Sequence, residues 1–385
     1  MVSKRTQELT SFIVMDVLEK ANAMERAGAH IIHLEVGEPD FDAPNCVKAA
    51  ACRALEEGHT HYTHSMGNFE LREAIAVYYR ETYGVRIQPE QIIVTSGSSP
   101  AILLVFSALL DPGDEVIISD PHYACYPNFI KFVQGVPVEI PVYEEEGFQY
   151  RPEEIRRRIT PRTKAVFINS PSNPTGNLLS AERMREIAAM AAGPNDPWIV
   201  SDEIYHGLVY EGKDHSILEF TDRAFVLNGF SKLFAMTGLR LGYVIAPQSL
   251  IRPMQKLQQN FFISANSMVQ KAAIAALKCA GEDVARMKSV YDERRRFMIR
   301  RLREIGLGIT VEPTGAFYVF ANVKAFSTDS YRLAFDILEK AHVGVTPGID
   351  FGRNGEGYLR FSYASSMENI AEGMNRLETY FRERR

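Results

Sequence analysis

The strongest constraint on this chain is a series of short, continuously apolar segments through its centre. Between about residues 92 and 246 it reads QIIVTSG, DEVIISD, VPVEIPV, TKAVFINS, PWIVSDE, RAFVLNGFS and GYVIAP, alternating with helical segments. A strand with one wet face alternates apolar and polar residues, whereas a strand apolar for four or five successive positions needs cover on both sides. Helices between such strands supply the crossovers of a parallel sheet. The expected fold class is therefore α/β: a three-layer sandwich with a mostly parallel central sheet.

The flanks read differently. Phe12, Val14, Met15, Leu18 and Met24 follow a helical pattern that ends near Gly28, and a short strand, HIIHLEVG, comes next. From Met268 to Ile305 the chain is helical and charged, with Gly281 the only glycine between Gly242 and Gly306. That stretch reads as a connection to a second domain. The C-terminal part mixes helices with short strands, GAFYVFANV and GYLRFSYAS. A chain of 385 residues is long enough for about two or three domains. The expected division is a large domain over 47–282 and a smaller α+β domain that combines an N-terminal segment, 1–46, with 283–385.

Composition narrows the function. Lys and Arg total 43 against 48 Asp and Glu, so no global positive charge is available to track a nucleic acid backbone. The cysteines, Cys46, Cys52, Cys125 and Cys279, lack CxxC spacing, so neither a zinc site nor a disulfide framework is expected, and a reducing cytosol fits. The first residues, MVSKRTQELTSF, lack a signal-peptide core, and no run approaches the roughly 20 apolar residues of a membrane span. A cytoplasmic protein without membrane or nucleic acid partners is expected.

In open α/β sheets ligands bind beyond the carboxyl ends of the strands, and the polar residues here concentrate there. In Thr95-Ser96-Gly97-Ser98-Ser99-Pro100, Ser99 suits a helix N-cap and Pro100 the first helical position, and free amides at a helix start bind phosphate. An ordinary cap explains that turn equally well. Asn173 lies in Ser170-Pro171-Ser172-Asn173-Pro174, where prolines stiffen the loop, although a turn-making Asn needs no ligand. Asp202 ends the apolar run Ile199-Val200-Ser201, where a carboxylate is costly without a partner, and Tyr205 follows three residues later; a helix-capping Asp is the alternative. Lys232 follows an apolar strand and precedes Leu233-Phe234-Ala235-Met236, a dry setting that lowers an amine's pKa and makes it a nucleophile. Arg240, between Gly238 and Gly242, suits a phosphate. Each residue taken alone has a bland reading; together they are the parts of a pyridoxal phosphate site.

The motifs S-K-x5-G-x-R-x-G (Ser231 to Gly242), S-x-S-N-P-T-G and S-D-E-x-Y stand in one order, and with them the chain resembles the class I/II aminotransferases of pyridoxal-phosphate fold type I. The resemblance runs from Gly37 to Arg360. It implies that Lys232 carries the cofactor covalently, Asp202 pairs with the ring nitrogen, and Asn173 and Tyr205 reach the ring's phenolic oxygen. Tyr123 would stack on the ring, while Ser98, Ser99, Ser231 and Arg240 would hold the phosphate. Gly37, in G-E-P-D-F, resembles a loop whose backbone touches substrate. Tyr62 resembles a tyrosine that reaches the neighbouring subunit's phosphate, which implies a homodimer with shared sites. Arg360, in GYLRFS, matches the arginine that forks the substrate α-carboxylate, a task suited to its planar donors.

The implied activity is ping-pong transfer of an amino group between an L-amino acid and a 2-oxo acid, with Lys232, Asp202 and Tyr205 closest to the chemistry. The same scaffold also supports carbon–sulfur β-lyases, and a pyridoxal-phosphate-sensing regulator is a further alternative. The regulator is disfavoured because the small domain begins almost at once, leaving no room for a DNA-binding module. His59, His61 and His64 surround Tyr62 without a supporting carboxylate or cysteine cluster, so no metal site is expected. For the substrate side chain, the region Gln258 to Phe262 lacks the arginine of vertebrate-like aspartate enzymes, and Ser99 stands where some bacterial dicarboxylate users carry lysine. Phe12, Phe261 and Phe262 are candidates for an apolar pocket, and aspartate, aromatic, alanine-like and kynurenine-like donors stay open.

Overall fold

The computed structural model describes residues 2–384. Its strands are β1 (Ile32–His33), β2 (Ile92–Thr95), β3 (Glu115–Asp120), β4 (Val136–Pro141), β5 (Thr163–Asn169), β6 (Trp198–Asp202), β7 (Ala224–Gly229), β8 (Gly242–Ile245), β9 (Tyr318–Asn322), β10 (Val343–Gly344), β11 (Thr346–Pro347) and β12 (Tyr358–Ser362). All seven apolar central runs become strands of one sheet, ordered β2-β8-β7-β6-β5-β3-β4. Only β8 runs against its neighbours. Successive side chains of a strand point to opposite faces, and both faces are covered. In β5, Ala165 and Phe167 pack into a cluster with Leu104 and Val105 of the helix Ser98–Leu109, while Val166 and Ile168 join the larger core opposite. The edge strand β4 lies mostly half-exposed, as an edge lacks full cover.

The remaining strands form small sheets: β11-β12-β9, antiparallel, and the parallel pair β1-β10. The N-terminal run thus pairs with the C-terminal third of the chain. Its helix, Ile13–Arg26, packs Val17 and Ala21 against Leu338 of the helix Ser330–Ala341.

Two expectations are corrected here. The run HIIHLEVG yields a strand of only two residues, because after Leu34 its backbone oxygens serve side chains instead of a neighbouring strand. Glu35 O accepts Arg360 Nη2 at 2.6 Å and Gly37 O accepts Lys232 Nζ at 2.6 Å. The helical stretch from Met268 to Ile305 is two helices, Ser267–Cys279 and Gly281–Ile305, separated at the buried Ala280 ahead of the poor helix former Gly281. Among the described residues no helix is long and apolar enough to cross a membrane.

Candidate active site

Because β2, β5, β6 and β7 run the same way, Thr95, Asn169, Asp202 and Gly229 end at one edge of the sheet; Asn169 and Asp202 are register partners. Beyond that edge opens a cleft of about 340 Å³, closed on its other side by residues 36–38 and β12. Gly37, Ser98, Ser99, Tyr123, Asn173, Asp202, Tyr205, Ser231, Lys232, Arg240 and Arg360 all line it. Of the residues nominated for the cofactor and the substrate α-carboxylate, Tyr62 lies elsewhere: it is 81% exposed, in a surface hollow with His59, His61 and Phe69.

Lys232 follows β7 in a tight turn and is partly buried. Its Nζ donates to Gly37 O, and burial pulls its pKa from 10.5 down to about 8, with Glu38 and Asp202 opposing the shift and Arg360 and Arg240 adding to it. About a tenth is then the free, nucleophilic amine at pH 7 and about half at pH 8. Gly37 permits this approach, since a Cβ there would sit 2.1 Å from Tyr318 Oη.

Asp202 is buried at the end of β6. Tyr126 Oη donates to its Oδ2 at 2.8 Å and Ile204 N donates to its Oδ1 at 3.1 Å. Burial raises the carboxyl to about 6, while the two donors hold it down. No cationic side chain pairs with it among the described residues, so a cationic ligand nitrogen fits its open side. The Ile204 contact is a local turn, so the helix-cap alternative does not apply.

At the opposite end the helix Ser98–Leu109 points its first turn at the cleft without any side-chain cap. The helix begins two residues earlier than the sequence pattern implies: Gly97, at φ +112°, is the N-cap, and Pro100 occupies the third position. That position is harmless because the first amides of a helix lack internal partners. Ser98 and Ser99 are therefore free to face the cleft. A Cβ on Gly97 would lie 2.7 Å from Arg240 Nη2, so the glycine keeps the guanidinium close to the helix start. Arg240 donates one hydrogen bond, to Thr237 O at 3.0 Å, and has no carboxylate partner among the described residues. With Ser231 nearby, these donors suit a phosphate dianion.

Arg360 is only 2% exposed. It lies on β12, stacked over Tyr318 at 4.4 Å and Phe351 at 5.0 Å. Its hydrogen bonds go to neutral acceptors: Asn173 Oδ1 at 2.9 Å, Glu35 O at 2.6 Å and Thr346 Oγ1 at 3.2 Å. Its Nε has no protein partner. A buried guanidinium without a counter-ion is costly, and the cleft beside it suits a carboxylate. Asn173 faces Arg360 in this arrangement, and Tyr205 Oη shares a 2.8 Å hydrogen bond with Tyr318 Oη.

Sequence reasoning missed Tyr126, Tyr318 and Glu38. Tyr126 gives no signal of its own, since a tyrosine beside apolar residues reads as core, and Tyr318 sits inside an ordinary-looking aromatic strand. Among the apolar candidates Phe12 lines the cleft, with its ring 5.7 Å from Tyr123 and edge-on to it, whereas Phe261 and Phe262 do not line it. Among the described residues no group of three or more His, Cys, Asp or Glu is arranged to hold a metal.

At its carboxyl edge the seven-stranded sheet thus brings together a lysine, a buried carboxylate and two arginines without carboxylate partners among the described residues. The family pattern described as aminotransferase class I and II matches residues 29–377. A (5-formylfuran-3-yl)methyl phosphate transaminase of Methanocaldococcus jannaschii is 43% identical over 384 residues, covering 99% of both chains. An aspartate aminotransferase of Pyrococcus horikoshii is 44% identical, covering 95% of this chain and 93% of its own. The structure of Thermus thermophilus aspartate aminotransferase with maleate superposes with a TM-score of 0.94 at 39% identity, covering 98% of this chain and 99% of the other. The chain belongs to the class I and II aminotransferases, of pyridoxal-phosphate fold type I. It is an aminotransferase, an enzyme that transfers amino groups, in a pyridoxal-phosphate-dependent family.

Proposed function

We propose that the cleft binds pyridoxal phosphate and exchanges an amino group between an L-amino acid and a 2-oxo acid in two half-reactions. The observation that carries this reading is the charge arrangement: Lys232, Arg240 and Arg360 face one cleft, no carboxylate is paired with either arginine, and one buried carboxylate, Asp202, stands without a cation. A phosphate, a ring nitrogen and an α-carboxylate complete those positions. Pyridoxal phosphate, when bound, supplies a carbonyl that condenses with amines and a ring that accepts the electron pair left when the Cα–H bond breaks.

The chain's own residues do the rest. Ser98, Ser99, Ser231 and Arg240 would hold the phosphate, and Tyr123 would cover a ring face. Asp202, kept ionised by Tyr126 and Ile204 N, would hold the proton on the ring nitrogen. Asn173 and Tyr205 would reach the phenolic oxygen. Arg360 would bind the α-carboxylate with a planar pair of N–H donors and so orient the Cα–H bond. Lys232 Nζ, at a pKa of about 8, would take the Cα proton as a general base and return one as a general acid.

The pairing of β1 with β10 supports the division into 47–282 and a unit made of 1–46 with 283–385. A homodimer is supported by the apolar exposure around Tyr62. Its loop is tied to residues 264–265 by Thr63 N donating to Ser264 Oγ at 3.3 Å, and Phe69, Phe261 and Ile263 are exposed too. The test is borohydride reduction of the holoprotein followed by peptide mapping, with product analysis after a single turnover. The cofactor should be fixed to Lys232, and one equivalent of 2-oxo acid should be released per site. Fixation to another lysine refutes the assignment; ammonia with pyruvate indicates a β-lyase.

A further inference from the structure

One wall of the cleft is apolar and comes from the N-terminal segment: Phe12, Val14, Met15 and Leu18. Met15 leaves 53% of its surface open at the mouth, while Val14, Val17 and Ala21 of the same helix are buried. This wall stands on the start of a helix whose N-cap, Phe12, has no side chain able to cap it. The first amides of a helix need outside acceptors. Here they find one 337 residues away in sequence: Ile13 N donates to Asp350 Oδ1 at 2.9 Å and Val14 N donates to Asp350 Oδ2 at 3.2 Å. Asp350 is 8% exposed and sits in the turn Gly348–Phe351, which also carries the Phe351 ring packed on Arg360. Burial lifts its carboxyl to about 6, with the two amides and Arg360 opposing and Asp16 adding to the shift, so both oxygens accept at neutral pH.

A second tie holds the chain just before the wall. Thr10 N and Oγ1 both donate to Asn128 Oδ1 at 3.2 Å, and Asn128 Nδ2 donates back to Thr10 O at 3.2 Å. Phe12 is therefore pinned between a tie to the helix Tyr126–Phe132 and a tie to the turn beside Arg360.

We infer that Asp350 is a positioning residue for substrate specificity: by capping the N-terminal helix it fixes Phe12, Val14, Met15 and Leu18 as an apolar subsite for the amino donor's side chain, next to the Arg360 carboxylate site. The class of donor this favours carries an uncharged, apolar or aromatic side chain. No lysine or arginine other than Lys232, Arg240 and Arg360 lines the cleft, and these three have other tasks. The inference rests on the reading of Arg360 as the α-carboxylate site, and two probes separate the two ideas.

The probes are 3-phenylpropionate and acetate, each titrated into the holoprotein by its effect on the cofactor absorbance. Acetate needs only the arginine, whereas 3-phenylpropionate also needs the wall. In Asp350→Ala, which removes both amide hydrogen bonds, the dissociation constant for 3-phenylpropionate should rise about tenfold or more, while that for acetate stays within about twofold. Amide hydrogen exchange at Ile13 and Val14 should accelerate in the same variant. Asp350→Asn keeps one acceptor oxygen and should lie between the two, which decides the matter if the alanine variant does not fold. Asn128→Ala, at the exposed tie, should weaken 3-phenylpropionate in the same direction. Equal loss of both probes in the Asp350 variants would overturn the inference and place Asp350 in service of Arg360. Unchanged exchange with unchanged probe affinities would overturn it too. Failure of the unaltered protein to bind either carboxylate would instead refute the Arg360 reading.

Discussion

Tyr126→Phe removes one oxygen and nothing else from the neighbourhood of Asp202. The ring packs against Phe167 at a centroid distance of 4.3 Å and against Tyr123 at 5.2 Å, so phenylalanine keeps the apolar contacts. What goes is the 2.8 Å hydrogen bond to Asp202 Oδ2, which leaves Ile204 N as the carboxylate's remaining donor. A hydrogen bond to a buried charge contributes about 1.5–3 kcal/mol. Since about 1.4 kcal/mol corresponds to one pKa unit, the Asp202 carboxyl should rise by about one to two units. The sign follows from the position already reached: burial has raised this group to about 6, and the tyrosine is the largest force holding it down. Below its pKa the carboxyl is neutral and could not hold the ring-nitrogen proton in the role proposed for it. The acid limb of the kcat/KM–pH profile should therefore move upward by about one to two units, with activity near pH 6 falling about tenfold or more and recovering at alkaline pH. The assay is the pH profile of the amino-donor half-reaction, with cofactor occupancy verified spectroscopically at each pH. A uniform loss at every pH, or an unmoved acid limb, would refute the argument that Tyr126 acts through the charge of Asp202.

Other consequences are equally direct. Gly97→Ala places a Cβ 2.7 Å from Arg240 Nη2 at φ +112°, and the cost of about 1–3 kcal/mol should weaken pyridoxal phosphate retention about tenfold or more; unchanged affinity in a cofactor titration would remove Gly97 from the phosphate site. Covalent capture of pyridoxal phosphate by the apo chain should accelerate as pH rises through about 8, where Lys232 loses its proton, and flatten above it; a rate still climbing through the 10.5 of an ordinary lysine would contradict the lowered pKa. Mixing Tyr62→Ala with Lys232→Ala under conditions of verified subunit exchange should restore activity, because a mixed dimer with shared sites has one site with both lesions and one with neither. If every site keeps a lesion and activity stays at the parental level, Tyr62 serves its own subunit.

Most of the sheet was legible because its central strands are apolar on both faces, and a run such as Val166-Phe167-Ile168 has no other stable use in a chain of this composition. The lysine, the carboxylate and the arginines were legible because a charge next to such a run needs a reason. Tyr126 was not, since a tyrosine beside apolar residues reads as core, and it is core as well as a donor to Asp202. The helix start at Ser98 was misplaced because capping preference favours serine, whereas the backbone at Gly97 adopts a positive φ that only glycine takes readily. The Asp350 cap had no local signature at all, because donor and acceptor meet only through tertiary structure.

The same charges that make the site recognisable also carry an energetic cost. Arg360 is buried against neutral oxygens, Arg240 sits at a helix start whose own partial charge is positive, and both push the Lys232 amine toward neutrality. Each of these arrangements costs stability in the free chain, and each is relieved by an anion in the cleft. A ligand that binds only the folded state stabilises it by about 2.7 kcal/mol at a hundred times its dissociation constant. Cofactor and substrate carboxylate should therefore raise thermal stability in separate increments, the first assigned to the Arg240 end and the second to Arg360. The physical reason that the increments are separable is that the two guanidinium groups share no partner in this fold: one is held by Thr237 O, the other by Asn173, Glu35 O and Thr346.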